Sequence, residues 1–147
     1  MRFQQYAAVI IILISLLSGC QGASREMQDG YYTAEAQGYD DDGWKDFLTI
    51  YVSNNKIVTV EFDARNSSGF VKSWDPDYQR LERIKTGLHR SAYMRTYTSE
   101  FLSLQNPVSV SVVAGTERQH KVFQLLAEAA IVQAKAKDKA IAVVELP

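Results

Sequence analysis

DFLTIYVSNNKIVTVEFD, residues 46–63, decides the fold. Leu48, Ile50 and Val52 alternate with Phe47, Thr49 and Tyr51, so Asp46–Ser53 predicts a strand with one apolar face. Asn54-Asn55 follows, and asparagine tolerates the positive φ of a tight turn. Lys56–Asp63 alternates again, with Val58, Val60 and Phe62 on one face. Two alternating runs about an Asn-rich turn predict a β-hairpin.

Upstream, Asp29-Gly30 opens the domain, and the aromatic and Thr-rich run Tyr31–Gln37 predicts a first strand. Gly38–Gly43 is a turn carrying Asp40, Asp41 and Asp42 in a row. A calcium loop needs ligands at alternating positions over about twelve residues, ending in Glu. That pattern is absent, so a solvated acidic turn is expected.

Downstream, Asn66–Gly69 reads as a loop, and Asp75-Pro76 as a helix start with Asp as cap and Pro at the first position. This helix is expected to run to Thr86 and stop at Gly87. Tyr93, Tyr97, Phe101 and Leu104 have helical spacing, predicting a second helix over Ser91–Ser103. Asn106-Pro107 ends that segment, and the β-branched run Val108–Val113 predicts a buried strand. Glu117–Ala136 predicts the longest helix, with Val122, Leu125, Leu126, Ala129 and Val132 facing inward. Ile141–Val144 predicts a last strand. The fold class is α+β: one domain, an antiparallel sheet containing the hairpin, and about three helices.

The N-terminus has another character. Arg2 precedes the apolar run Ala7–Leu17, which has the length of a signal-peptide core and falls short of a membrane span. Leu17-Ser18-Gly19-Cys20 resembles the lipobox of bacterial lipoproteins. The expected organisation is a signal peptide over 1–19, a tether over 20–28 and a domain over 29–147. Cleavage would leave Cys20 as a lipidated N-terminus, held by acyl chains at about 0.8 kcal/mol per buried methylene. Gln21 in the following position implies outer-membrane sorting in a cell with two membranes, by resemblance to lipoprotein sorting.

Composition agrees. Sixteen basic and 17 acidic residues give a formal charge of -1, without the basic excess of a nucleic-acid binder. Removing residues 1–19 from the 147 leaves 128, one basic residue fewer, and a formal charge of -2. The one cysteine excludes a disulfide framework within the chain and is read as the anchor. His89 and His120 are far apart, thin support for a metal or haem handler.

Asp29-Gly30-Tyr31-Tyr32-Thr33, Gly43-Trp44-Lys45, the hairpin ending Val60-Glu61-Phe62-Asp63, and Gln105-Asn106-Pro107 together resemble the FMN-binding domain family. Within that family they more closely resemble its small membrane-anchored lipoprotein branch, the major membrane immunogen type. The resemblance covers residues 29–136. It implies an extracytoplasmic role in electron transfer, redox partner proteins, and FMN attached as a phosphoester to a Ser or Thr at a helix start. There, glycine allows close approach and free N–H groups favour phosphate.

In this chain the attachment motif is degenerate. Ser111 stands for the motif's Asp, Ala114 for its Ser or Thr, Thr116 for Ala, and Glu117 for the acceptor; Gly115 is kept. Gly115 and Thr116 are the cofactor-site candidates. Thr116 is either an acceptor shifted by one residue or the cap of a Thr116-Glu117-Arg118-Gln119 capping box, which the sequence favours. The cofactor expectation is therefore FMN held without a covalent bond, or none. Trp44, Trp74, Tyr31, Tyr32 and Tyr39 are candidates to stack on a flavin, and Arg118 and Lys121 to pair with its phosphate. No nucleophile, base and orienting group stand together, so a carrier or binding module is expected over a catalyst. The alternative is a flavin-free binding or assembly lipoprotein of the envelope.

Overall fold

The computed structural model describes residues 26–147; the segment read as a signal peptide, with Cys20 and Gln21, lies outside that range. Strands β1 (Gly30–Ala36), β2 (Lys45–Ser53) and β3 (Lys56–Arg65) form an antiparallel meander. Helices α1 (Pro76–Thr86), α2 (Arg90–Leu104) and α3 (Glu117–Ala136) follow, then a short strand β4 (Ala142–Val144). β4 pairs parallel to β1, giving the sheet order β3-β2-β1-β4. The sheet is thus mixed, where an antiparallel one was expected. The chain reaches β1's free edge through α3, which returns β4 in the parallel sense.

Two strands depart from plain alternation. Tyr51 pairs with Thr59 but Val52 pairs with Ile57, leaving Val58 as the extra residue of a bulge. Ile57 therefore points into the core, and Val58 is half exposed instead of sharing a face with Phe62. The Val108–Val113 strand does not form. Pro107 opens a 3-10 turn over Pro107–Ser109, and Asn106 Oδ1 accepts from Val108 N. The backbone beyond it bonds to helix side chains: Ser111 N to Glu100, Val113 N to Tyr97 Oη, and Val110 O to His120 Nε2. With those groups already satisfied, the segment makes no ladder.

One sheet face carries Tyr32, Ala34, Leu48, Ile50, Val52 and Phe62, all buried under α2 and α3. Phe123 is the hub: its ring lies 5.3 Å from Phe62 and 5.6 Å from both Phe101 and Tyr97. The buried stripe of α3 is Val122, Phe123, Leu126, Ala127, Ala130 and Ala134. Val132, expected inside, is 63% exposed: it lies two residues from both Ala130 and Ala134, on the opposite side of the helix from the buried stripe. Leu104, the last residue of α2, is also exposed, unlike Tyr93, Tyr97 and Phe101. The outer sheet face shows Tyr31 stacked 4.6 Å from Tyr51 and a Thr33–Thr49 hydroxyl pair at 2.9 Å.

Candidate functional site

A cleft of about 390 Å³ opens at the end of the sheet where β1 leads into β2. Tyr39, Asp40, Trp44 and Asp46 form one wall; Arg118 of α3 and Glu145 of the C-terminal segment form the other. This size lies in the range of small-ligand pockets. Asp40 builds the turn itself: its Oδ1 accepts from Trp44 N at 2.7 Å and Asp42 N at 3.1 Å. Gly43 supplies the φ of 81° that the turn requires. The C-terminal wall is fastened by Gln37 N to Val144 O at 2.8 Å and Arg118 Nη2 to Pro147 O at 3.3 Å.

Behind the wall lies a buried polar network that composition did not announce. Arg90, 1% exposed, donates to Asp46 at 3.1 Å, Asp63 at 3.3 Å and Tyr93 Oη at 3.3 Å. Tyr93 and Tyr78 both donate to Glu82, at 3.1 and 3.0 Å. Burial opposes the charge on Arg90, but Tyr93, Asp46 and Asp63 outweigh it and hold the guanidinium cationic. Burial, and then the Glu82 carboxylate, push the Tyr78 and Tyr93 phenols above their ordinary range. Lys72 bridges network and cleft. Its Nζ lies 4.3 Å from the Tyr78 ring centre, 5.5 Å from that of Trp44, and 3.5 Å from Asp40 Oδ2. Burial, with the Arg90 charge nearby, lowers its pKa.

The start of α3 is built differently from a capping box. Thr116 is fully buried, and its hydroxyl makes no cap bond. Instead Oγ1 donates to Val113 O at 2.8 Å and lies 2.5 Å from Tyr97 Oη. Glu117, the first helical residue, ties down the turn before the helix: its carboxylate accepts from Gly115 N at 3.0 Å. Bonds from its own N–H and that of Gly115 lower its pKa. Gly115 turns the chain at φ 83°. Neither Gly115 nor Thr116 lines the cleft, which takes only Arg118 from this helix.

Of the aromatic candidates, Trp44 and Tyr39 reach the cleft. Tyr32 is in the core beneath Lys139, Tyr31 is on the outer sheet face, and Trp74 is exposed beside Phe70. Among the described residues no group of three or more His, Cys, Asp or Glu could hold a metal ion.

The chain is 32% identical over 129 residues to the 15 kDa lipoprotein of Treponema pallidum (strain Nichols), covering 88% of this chain and 90% of that protein. The chain belongs to that lipoprotein family. No protein-family model matches it. The crystal structure of the CPE2226 protein from Clostridium perfringens superposes on this lipoprotein with a TM-score of 0.76 at 26% identity, over 82% of this chain and 99% of that one. A solution structure from Clostridium thermocellum matches at a TM-score of 0.52 and 26% identity, over 74% and 92%. No helix of the lipoprotein among the described residues is long and apolar enough to cross a membrane.

Proposed function

We propose that this lipoprotein is an extracytoplasmic protein of the cell envelope, anchored by lipid on Cys20, whose FMN-binding-type domain holds flavin without a covalent bond and takes part in electron transfer. The lipobox and the lipoprotein relative support the anchor. Any 129-residue span of a 147-residue chain contains residue 20, so Cys20 falls within the aligned region. In a cell with two membranes, Gln21 points to the outer one.

The observation that carries the non-covalent reading is the start of α3. The residues there do not fit a phosphoester. Thr116 buries its hydroxyl against Tyr97 and Val113, and Glu117 brings a negative charge to the N–H group that a phosphate would use. The cleft fits better. Trp44 and Tyr39 offer aromatic surface and Arg118 a cation for a phosphate. A bound flavin supplies the electron transfer through its ring. The chain's part is to hold the ring against the aromatic wall and to screen it from water.

A second reading rests on the acids Asp40, Asp46 and Glu145, which outnumber Arg118 around the cleft and disfavour a phosphate dianion. It makes the protein a flavin-free binding or assembly lipoprotein. Titrating FMN into the full-length protein, followed by flavin fluorescence, separates the two. Saturable quenching weakened about tenfold by Trp44→Ala and by Arg118→Glu, and unchanged by Trp74→Ala, supports flavin in the cleft. Quenching indifferent to Trp44 and Arg118 removes the cleft as its site. Absence of quenching leaves the flavin-free reading.

A further inference from the structure

The chain joins the domain at one pole, and the cleft opens at the other. β1 starts beside Gln28, whose N–H donates to Ala134 O near the end of α3 at 3.0 Å, and ends at Ala36 in the cleft wall. α3 runs the opposite way, from Arg118 in the cleft to Ala134 beside Gln28. The 16 residue steps from Arg118 to Ala134, at about 1.5 Å each, set the two poles about 24 Å apart along the helix.

The tether pole carries its own groove, of about 450 Å³, where Met27, Pro107, Ile131 and Val132 share the lining with Gln105, Asn106, Glu128 and Lys135. Val132 is 63% exposed and Val108, next to Pro107, is 64% exposed. Met27 is fixed there by its N–H bond to Asn55 Oδ1 at 2.9 Å. We propose that this pole is a membrane-contact surface: its exposed valines and the apolar side chains of its groove rest on the phospholipid surface, its polar ones meet the head groups, and the cleft faces away from the bilayer.

The inference rests on the lipid anchor at Cys20. Seven residue steps separate Cys20 from Met27, so an extended tether reaches at most about 25 Å. The groove is thus held at high effective concentration beside lipid. A weak apolar contact then suffices, because the anchor supplies the other half of a two-signal attachment. Charge sets the direction. Lys56, Lys135, Lys137 and Lys139 balance Glu26, Asp29, Glu128 and Asp138 in the segments of the tether pole, whereas around the cleft Asp40, Asp46 and Glu145 stand against Arg118, with Asp41 and Asp42 in the same turn and Lys72 paired to Asp40. Anionic lipid repels the second pole and tolerates the first. The cleft is therefore served by water-soluble ligands and partners, and a partner embedded in the same bilayer does not reach it.

The test uses the lipidated full-length protein in vesicles of phosphatidylcholine and phosphatidylglycerol bearing a nitroxide on the head groups. Cys20 is blocked by its acyl chains, so a fluorophore goes to Val132→Cys in one sample and Asp41→Cys in another. The proposal expects the label at position 132 to be quenched several-fold more than the label at 41. Val108→Asp should abolish that difference while the protein still sediments with vesicles. Equal quenching, stronger quenching at 41, or indifference to Val108→Asp overturns the contact surface but leaves the anchor standing. Protein that lacks acyl mass and stays in solution overturns the anchor, and the contact surface with it.

Discussion

The hydroxyl oxygen of Thr116 lies 2.5 Å from the phenol oxygen of Tyr97, and both side chains are sealed from solvent. The same Tyr97 oxygen accepts from Val113 N at 3.3 Å, so one buried hydrogen-bond group ties α2 to the turn that launches α3. Thr116 is a structural bolt at the position where the related motif needs a small residue beside an exposed acceptor. Thr116→Val keeps the shape but removes the donor to Val113 O. It is expected to cost about 1–3 kcal/mol in denaturant unfolding. It should leave the FMN titration unchanged, whereas an acceptor role would couple the two.

Arg90→Met should be among the most damaging polar substitutions. It strands Asp46 and Asp63, whose charges Arg90 neutralises inside the protein. Breaking such a pair costs about 3–5 kcal/mol. Arg90→Lys should recover only part, because an ammonium cannot reach Asp46, Asp63 and Tyr93 with one planar fork. Thermal melting of the three proteins side by side measures both effects.

Glu35 governs part of the acid limb of stability. Burial works to raise its pKa, but hydrogen bonds and charges from Lys45 and Arg65 lower it below the ordinary 4.5. A depressed carboxyl stabilises the fold above its unfolded value and loses that contribution as pH falls through the folded one. Glu35→Gln should cost about 1 kcal/mol at pH 7. The deficit should shrink below pH 4.5 until the two proteins match. A deficit that is constant with pH would mean that charge is not its source.

The bulge in β3 predicts an asymmetry that simple alternation does not. Ile57 is buried opposite Val52, while Val58 is half exposed. Ile57→Ala should cost about 2–5 kcal/mol. Val58→Thr should stay within about 0.5 kcal/mol, as surface changes do. Equal losses at the two positions would contradict the register.

The parts of this fold that were legible in sequence are those decided locally. Asn54 and Asn55 both take positive φ in the hairpin turn. Asp75 caps α1 through the N–H groups of Asp77 and Tyr78, and Gly87 ends it at φ 75°. The limits of α3, Glu117 and Ala136, follow from its apolar period. What escaped depends on distant partners. Val108–Val113 has the composition of a strand, but its backbone is claimed by Glu100, Tyr97 and His120. Thr116 fits a capping box until Tyr97, nineteen residues away, takes its hydroxyl. Arg90 meets Asp63 and Asp46 across separations of 27 and 44 residues, and no local pattern marks such a group. Only Arg118, Trp44 and Tyr39 among the flavin candidates converge, because the turn after β1 and the start of α3 meet at one pole.

The most direct test of non-covalent flavin is acid precipitation after exposure to FMN. The full-length protein is produced together with a flavin transferase, saturated with FMN, freed of excess ligand and precipitated with acid. The account predicts a yellow solution before precipitation, a colourless pellet, a yellow supernatant, and an intact mass without an FMN adduct. A yellow pellet with the mass of one added FMN would contradict it, as would a protein that never takes up colour.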